Sequence, residues 1–201
     1  MSSRTATVTR TTRETSIRVA LDLDGTGKTS IKAGIGFLDH LLDALGRHAR
    51  FDLTLACEGD LQLDDHHTAE DCALALGEAL DRALGERRGI NRFGWALAPL
   101  DEALARAVVD LSGRPFSDIA LGLRRDAIGG LASENIAHVL RSLATASRTT
   151  LHVDVLKGDN DHHRAEAAFK ATALALRQAI AVSGFDDVPS TKGTLGGASR
   201  E

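Results

Sequence analysis

Six of the eight histidines in this 201-residue chain stand in two matching settings. The segment Asp65-His66-His67-Thr68-Ala69-Glu70 returns as Asp161-His162-His163-Arg164-Ala165-Glu166. Upstream, Phe37-Leu38-Asp39-His40-Leu41-Leu42 has its counterpart in Asn135-Ile136-Ala137-His138-Val139-Leu140. Successive helical residues turn by about 100°, so His66 and Glu70 lie about 40° apart and His67 and Glu70 about 60° apart. Glu70 thus falls between two imidazoles that themselves diverge. One ion can take Glu70 with one histidine, while its neighbour reaches toward a different ion. The same holds for His162, His163 and Glu166. With His40 and His138 added, the inventory is six imidazoles and two carboxylates. That set suits two ions in similar environments, each with positions open to water or substrate. Nitrogen and carboxylate ligands without thiolate admit Mn, Fe, Co, Ni or Zn. A lone histidine is ordinarily a surface or satisfied core residue, and His48 and His152, which have no partner pattern, are read that way. Two matched copies of the pattern are not explained as solvated helix starts.

Positioning these residues requires two similar units of roughly 95 residues, an ordinary domain size. The chain reads as a duplication with units over 1–91 and 92–201. Apolar–polar alternation or β-branched runs predict strands over 4–11, 16–23, 51–57, 92–98, 104–111 and 150–156. Helical spacing predicts helices over 34–48 and 131–147, carrying His40 and His138. The double-histidine segments open the longest helices, on apolar stripes that include Ala69, Cys72, Leu76 and Leu80 in one and Ala165, Phe169 and Leu176 in the other. Asp65 and Asp161 stand where N-caps are wanted. Strands and helices do not strictly alternate, so the class is α+β. The Asp24-Gly25-Thr26-Gly27 turn and the Gly193–Gly197 tail read as surface connections.

Composition narrows the function classes. Lys+Arg of 24 against Asp+Glu of 28 gives a net charge of −4, which argues against a nucleic-acid partner. No run approaches the ~20 apolar residues of a bilayer span, so no membrane partner is expected. The polar opening lacks the apolar core of a secretory signal. Two cysteines make no disulfide framework or zinc knuckle, and a cytoplasmic location is expected. Aromatics are only 3%, so the core must be built from Ala, Leu and Val.

Four ordered motifs, Gly36-Phe37-Leu38-Asp39-His40, Asp65-His66-His67-Thr68-Ala69-Glu70-Asp71, Asn160 through Lys170, and Ser190-Thr191-Lys192-Gly193, closely resemble the imidazoleglycerol-phosphate dehydratases of histidine biosynthesis. The resemblance runs from about Arg10 to Leu195. Around His138 the chain departs from the family, with Ala137, Val139 and Leu140 where an acidic residue and Phe are usual. The resemblance implies a tandem pair of ribosomal-S5-domain-2-like units, each a mostly antiparallel sheet backed by two helices. It implies dehydration of D-erythro-imidazoleglycerol phosphate to imidazole acetol phosphate through a metal-stabilised imidazolate. Two Mn(II) ions per active site would be bound by His40, His66, His67, Glu70, His138, His162, His163 and Glu166. Glu14 would act as general acid/base, with Glu166 as the rival for part of that role, and His40 and His66 would also face the substrate. Arg92, Arg114, Ser190, Thr191 and Lys192 would bind the phosphate. Trimers assembled into a 24-subunit homo-oligomer are implied, with sites gathering residues from neighbouring subunits. The length leaves no room for an accompanying phosphatase domain, so a monofunctional enzyme is expected. The competing reading is a noncatalytic metal-binding shell, which would need the His/Glu clusters but neither Glu14 nor the basic anchors. An RNA-binding module, suggested by fold analogy alone, lacks the basic, aromatic-rich surface it would need.

Overall fold

Alternating burial along the first strands gives each one face for a core and one for water. In the computed structural model, which describes residues 3–195, β1 (Thr5–Thr11), β2 (Thr15–Asp22), β3 (Thr29–Lys32) and β4 (Asp52–Gly59) form a sheet ordered β1-β2-β4-β3. The last six positions of the second unit, with Gly196 and Gly197 of the glycine tail, lie outside the described residues. The sheet is antiparallel except for β3 beside β4. The second half repeats the plan. Here β5 (Phe93–Leu100), β6 (Ala103–Asp110), β7 (Phe116–Ala120) and β10 (Thr150–Lys157) take the order β5-β6-β10-β7, again with one parallel pair, β7 and β10. A two-residue hairpin of β8 (Ala127–Ile128) and β9 (Leu131–Ala132) precedes the third helix.

The helices α1 (Gly36–Ala49) and α2 (His66–Leu84) back the first sheet, and α3 (Ser133–Ala146) and α4 (Asp161–Ala179) back the second. Across the halves α1 packs on α4 and α2 on α3, so the helices sit between two outer sheets and share one core. Leu38, Leu41, Leu42 and Leu45 of α1 are fully buried, each contributing about 1.5–3 kcal/mol of apolar burial. With few aromatics, close approach replaces bulk. A Cβ on Gly77 of α2 would stand 2.7 Å from the Ala146 Cβ and the Leu143 carbonyl oxygen of α3, and one on Gly94 of β5 would stand 2.0 Å from the Ala175 carbonyl oxygen of α4.

A buried guanidinium also joins the halves. Arg87, fully enclosed after α2, donates to Asp81 Oδ1 (2.6 Å) and to the carbonyls of Leu111, Ser147 and Arg148 in the other half. Arg148 shares the same Asp81 carboxylate at 2.9 Å.

Two expectations need correction. The third helix begins at Ser133, because 131–132 pair as β9. The side chains of Asp65 and Asp161 do not cap their own helices. Asp65 Oδ2 accepts from the Ala132 amide at 2.6 Å, and Asp64 serves His66 instead. Asn160 caps α4 through His162 N, while Asp161 Oδ2 accepts from the amides of Arg124 and Arg125, both at 2.7 Å. Each carboxylate instead accepts from backbone N–H groups of the second half outside its own helix.

Candidate metal centres and substrate anchors

Two groups of ligand-type side chains form where the helices of the two halves meet. His40 of α1 joins His162 and Glu166 of α4, and His138 of α3 joins His66 and Glu70 of α2; within each group the ligand atoms lie within 4.8 Å of one another. His40 Nε2 is 2.8 Å from Glu166 Oε2, and His162 Nε2 is 3.2 Å from the same oxygen. His138 Nε2 is 3.0 Å from Glu70 Oε1. Sequence order associates His138 with the second HHxxE segment; the fold pairs it with the first, and His40 with the second. The reason lies in the packing of α1 on α4 and of α2 on α3, which brings each lone histidine to the other half's carboxylate.

Partners outside the HHxxE pattern hold these groups. Lys170, one turn after Glu166, places Nζ 2.6 Å from its Oε1. Burial pulls the Glu166 carboxyl upward, but Lys170 and His40 outweigh it and hold the group at about 2. Asn135 Oδ1 accepts from His66 Nδ1 at 3.0 Å, and the His66 ring stacks on His138 at 5.1 Å.

His67 and His163 turn away from their neighbours, with ring planes at 70° to His66 and 88° to His162. That divergence follows from helical spacing. His67 Nδ1 meets Asp60 Oδ2 at 3.0 Å, and its Nε2 lies 3.7 Å from Glu14 Oε1. His163 Nδ1 meets Glu102 Oε2 at 2.7 Å, and its Nε2 lies 3.9 Å from Asp101 Oδ2. These carboxylates raise both imidazoles above the ordinary histidine range. Glu102 is pushed down to about 2 by the Asn160 amide and then by His163.

Glu14 sits in the turn between β1 and β2, half-exposed beside His67. The basic residues gather elsewhere. Arg92, just before β5, forms a two-pronged pair with Asp110 at 2.7 and 3.0 Å, and its Nη1 donates to the Pro189 carbonyl at 2.7 Å. That bond ties down the segment carrying Ser190, Thr191 and Lys192. A guanidinium has five N–H groups, so two remain for a ligand. Arg114 follows β6, exposed, and among the described residues its guanidinium and the Lys192 ammonium form no ion pair. His48 and His152 join neither group; His152 lies against Phe116 at 5.5 Å.

Asp60, Glu102 and Asp110 belong to no motif, and Asn135 and Lys170 stand at the edges of recognised segments without being singled out in them. Lys170 also leaves a local signal, a cation one helical turn after a carboxylate. Among the described residues no helix is long and apolar enough to cross a membrane.

The chain is similar to known proteins of one family. The family model described as "Imidazoleglycerol-phosphate dehydratase" matches residues 33–176. A dehydratase of that name from Phaffia rhodozyma is 58% identical over 197 residues, covering 96% of each chain. One from Phytophthora nicotianae is 61% identical over 192 residues, covering 96% of this chain, which spans only 42% of that longer protein. Among solved structures, the imidazoleglycerol-phosphate dehydratase of Pyrococcus furiosus, in complex with (S)-C348, superposes with a TM-score of 0.81 at 38% identity, over 94% of this chain and 100% of that one. The Staphylococcus aureus enzyme gives 0.80 at 31% identity, over 89% and 99%.

Proposed function

The chain belongs to the imidazoleglycerol-phosphate dehydratase family, a family of hydro-lyases, and from that premise we propose that it dehydrates D-erythro-imidazoleglycerol phosphate to imidazole acetol phosphate and water in cytoplasmic histidine biosynthesis. The observation that carries the reading is the pair of matched His/His/Glu groups assembled across the two halves. Their donors are nitrogen and carboxylate oxygen with no thiolate, a set that fits Mn(II) as well as the other first-row ions open at the outset. Mn(II), two ions per active site, is the metal that the family resemblance implies and the one we assign. When bound, it supplies Lewis acidity that takes up negative charge on the substrate ring. His40, His162 and Glu166 would hold one ion and His66, Glu70 and His138 the other. His67 and His163, which join neither group, would serve ions shared with neighbouring subunits.

The reaction removes a proton and a hydroxyl from adjacent side-chain carbons as water. The resulting enol gains a proton on carbon as it loses the one on oxygen, giving the ketone. Glu14 carries the proton. Its carboxylate is half-exposed beside His67. Glu166, the alternative acid/base, has one oxygen on Lys170 and the other on two imidazoles. With both oxygens engaged, its main role is that of ligand. Arg92, Arg114, Ser190, Thr191 and Lys192 bind the phosphate with charge and hydrogen bonds.

Geometry supports sites shared between subunits. His163 lies near the Asp101–Glu102 turn, while Arg92 and Asp110 lie at the opposite end of the β5–β6 hairpin. Eight-residue strands separate these ends by about 26 Å. Likewise 19 residues of α4, about 28 Å of helix, separate His162 from the chain leading to Lys192. One small substrate cannot span that distance, so anchors and ions would meet between chains. A homo-oligomer follows, which we assign as 24 subunits built from trimers. The deciding experiment is an assay for imidazole acetol phosphate on purified protein with and without Mn(II). Turnover that requires the ion supports the proposal; its absence from Mn-loaded protein favours a noncatalytic metal-binding shell.

A further inference from the structure

An imidazole that ligates a metal offers one ring nitrogen without its proton, so the other nitrogen must carry it, and that nitrogen's partner decides which is which. Inside the two groups His40, His138 and His162 all present Nε2 to a carboxylate. His67 and His163 meet neither Glu70 nor Glu166. Each is gripped at Nδ1, by Asp60 Oδ2 at 3.0 Å and by Glu102 Oε2 at 2.7 Å. An ionised carboxylate only accepts, so both Nδ1 atoms donate. The two acids are not related by the internal repeat, since Asp60 follows β4 and Glu102 lies in the β5–β6 turn. The same bond is reached from two different places in the fold.

We propose that Asp60 and Glu102 are positioning residues that fix His67 and His163 in the Nδ1–H tautomer, leaving Nε2 of each as the ligand atom. This rests on the metal-binding reading above. The two acids differ in one respect that makes the proposal testable. Glu102 has both oxygens committed, because Oε1 also accepts from the amides of Asp159 (3.1 Å) and Asn160 (2.8 Å) at the start of α4. Asp60 has one oxygen to spare, since its buried Oδ1 has no hydrogen-bond partner. In Glu102→Gln the two backbone N–H groups can only donate, so they claim the amide oxygen. The NH2 then faces His163 Nδ1, which must accept, and the ring proton moves to Nε2, where it blocks ligation. In Asp60→Asn the amide oxygen can stay on His67, with the NH2 in the place of the unpartnered Oδ1.

The test is Mn(II) titration of the full-length metal-free protein by calorimetry, with elemental analysis, for wild type, Glu102→Gln, Asp60→Asn and Asp101→Asn. Loss of an orienting partner lowers metal affinity by about 10–100-fold. Glu102→Gln should show that loss in the fraction of sites that use His163, and Asp60→Asn should stay close to wild type. Asp101→Asn removes a charge beside Nε2 but no partner of Nδ1, and should also stay close. Ring 15N shifts of His163, read in metal-free protein at mildly alkaline pH, should show the proton on Nδ1 in wild type and on Nε2 in Glu102→Gln. Wild-type affinity in Glu102→Gln, or an equal loss in Asp101→Asn, overturns the proposal. Wild type that binds no divalent ion overturns the metal reading instead, and the 15N shifts still judge the tautomer.

Discussion

His40 and Glu166 stand 126 residues apart in the chain and 2.8 Å apart in space. The counterpart, His138 and Glu70, spans 68 residues and closes at 3.0 Å. Each contact takes its imidazole from one half and its carboxylate from the other, so neither half contains a whole ligand group. Glu166→Gln should therefore reduce both metal content and turnover, because one carboxylate serves His40, His162 and Lys170 together. Elemental analysis beside turnover checks this; full metal loading in the variant would remove Glu166 from the ligand set.

Glu14→Gln should separate chemistry from metal binding. The side chain lies in neither ligand group, so ion content and assembly should match wild type. Turnover should fall by about 10²–10⁴, the usual contribution of a placed acid/base group. Near-normal turnover would assign the proton transfer to another residue.

Phosphate anchoring should be separable as well. Lys192→Ala and Arg114→Ala should keep their metal but lose substrate affinity by about 2–5 kcal/mol, the cost of leaving one member of a desolvated charge pair alone. Direct substrate binding to the Mn-loaded variants measures it. Unchanged affinity in both would exclude them from the site.

Metal removal should dismantle the assembly. If ions are shared between subunits, their binding energy is also assembly energy. Chelation should reduce the large particle to trimers, and Mn(II) should restore it. Light scattering that shows an intact particle after complete removal of metal would break the link.

Acid should destabilise the metal-free chain over a defined range. Glu102 drops from an ordinary 4.5 to about 2 on folding. Asp52 is lowered by the amides of Lys28 and Thr26. Asp161 is lowered because the Arg125 and Arg124 amides outweigh its burial. A carboxyl more acidic in the fold than in the unfolded chain contributes stability that is complete above its unfolded pKa. As pH falls the unfolded state binds protons first, so that stability is lost between about 4.5 and 2. Urea midpoints measured across this range should decline; a flat profile would contradict these bonds.

The long helices and most strands were legible because apolar periodicity over eight or more residues leaves few alternatives. Strands β3 and β7 were not, since Thr29–Lys32 and Phe116–Ala120 are short edge segments held by parallel neighbours distant in sequence. The ligand-type residues announced themselves through the repeated HHxxE. Their pairing did not, because it depends on which helices pack across the halves. Asp60 and Glu102 were invisible for the same reason. A single carboxylate in a turn has no pattern, and its importance appears only when tertiary folding carries it to an imidazole.

The exchange of histidines between the halves bears on descent. A half-length ancestor with one histidine helix and one HHxxE helix could close neither group by itself. Two such chains docked about a twofold axis would close both at once. Joined end to end, they would yield the present chain, an ancient dimer interface turned into an interior. The two copies could then diverge in their turns, as Glu14 and the Asp101–Glu102 pair have, yet neither could shed its histidine without disarming its twin.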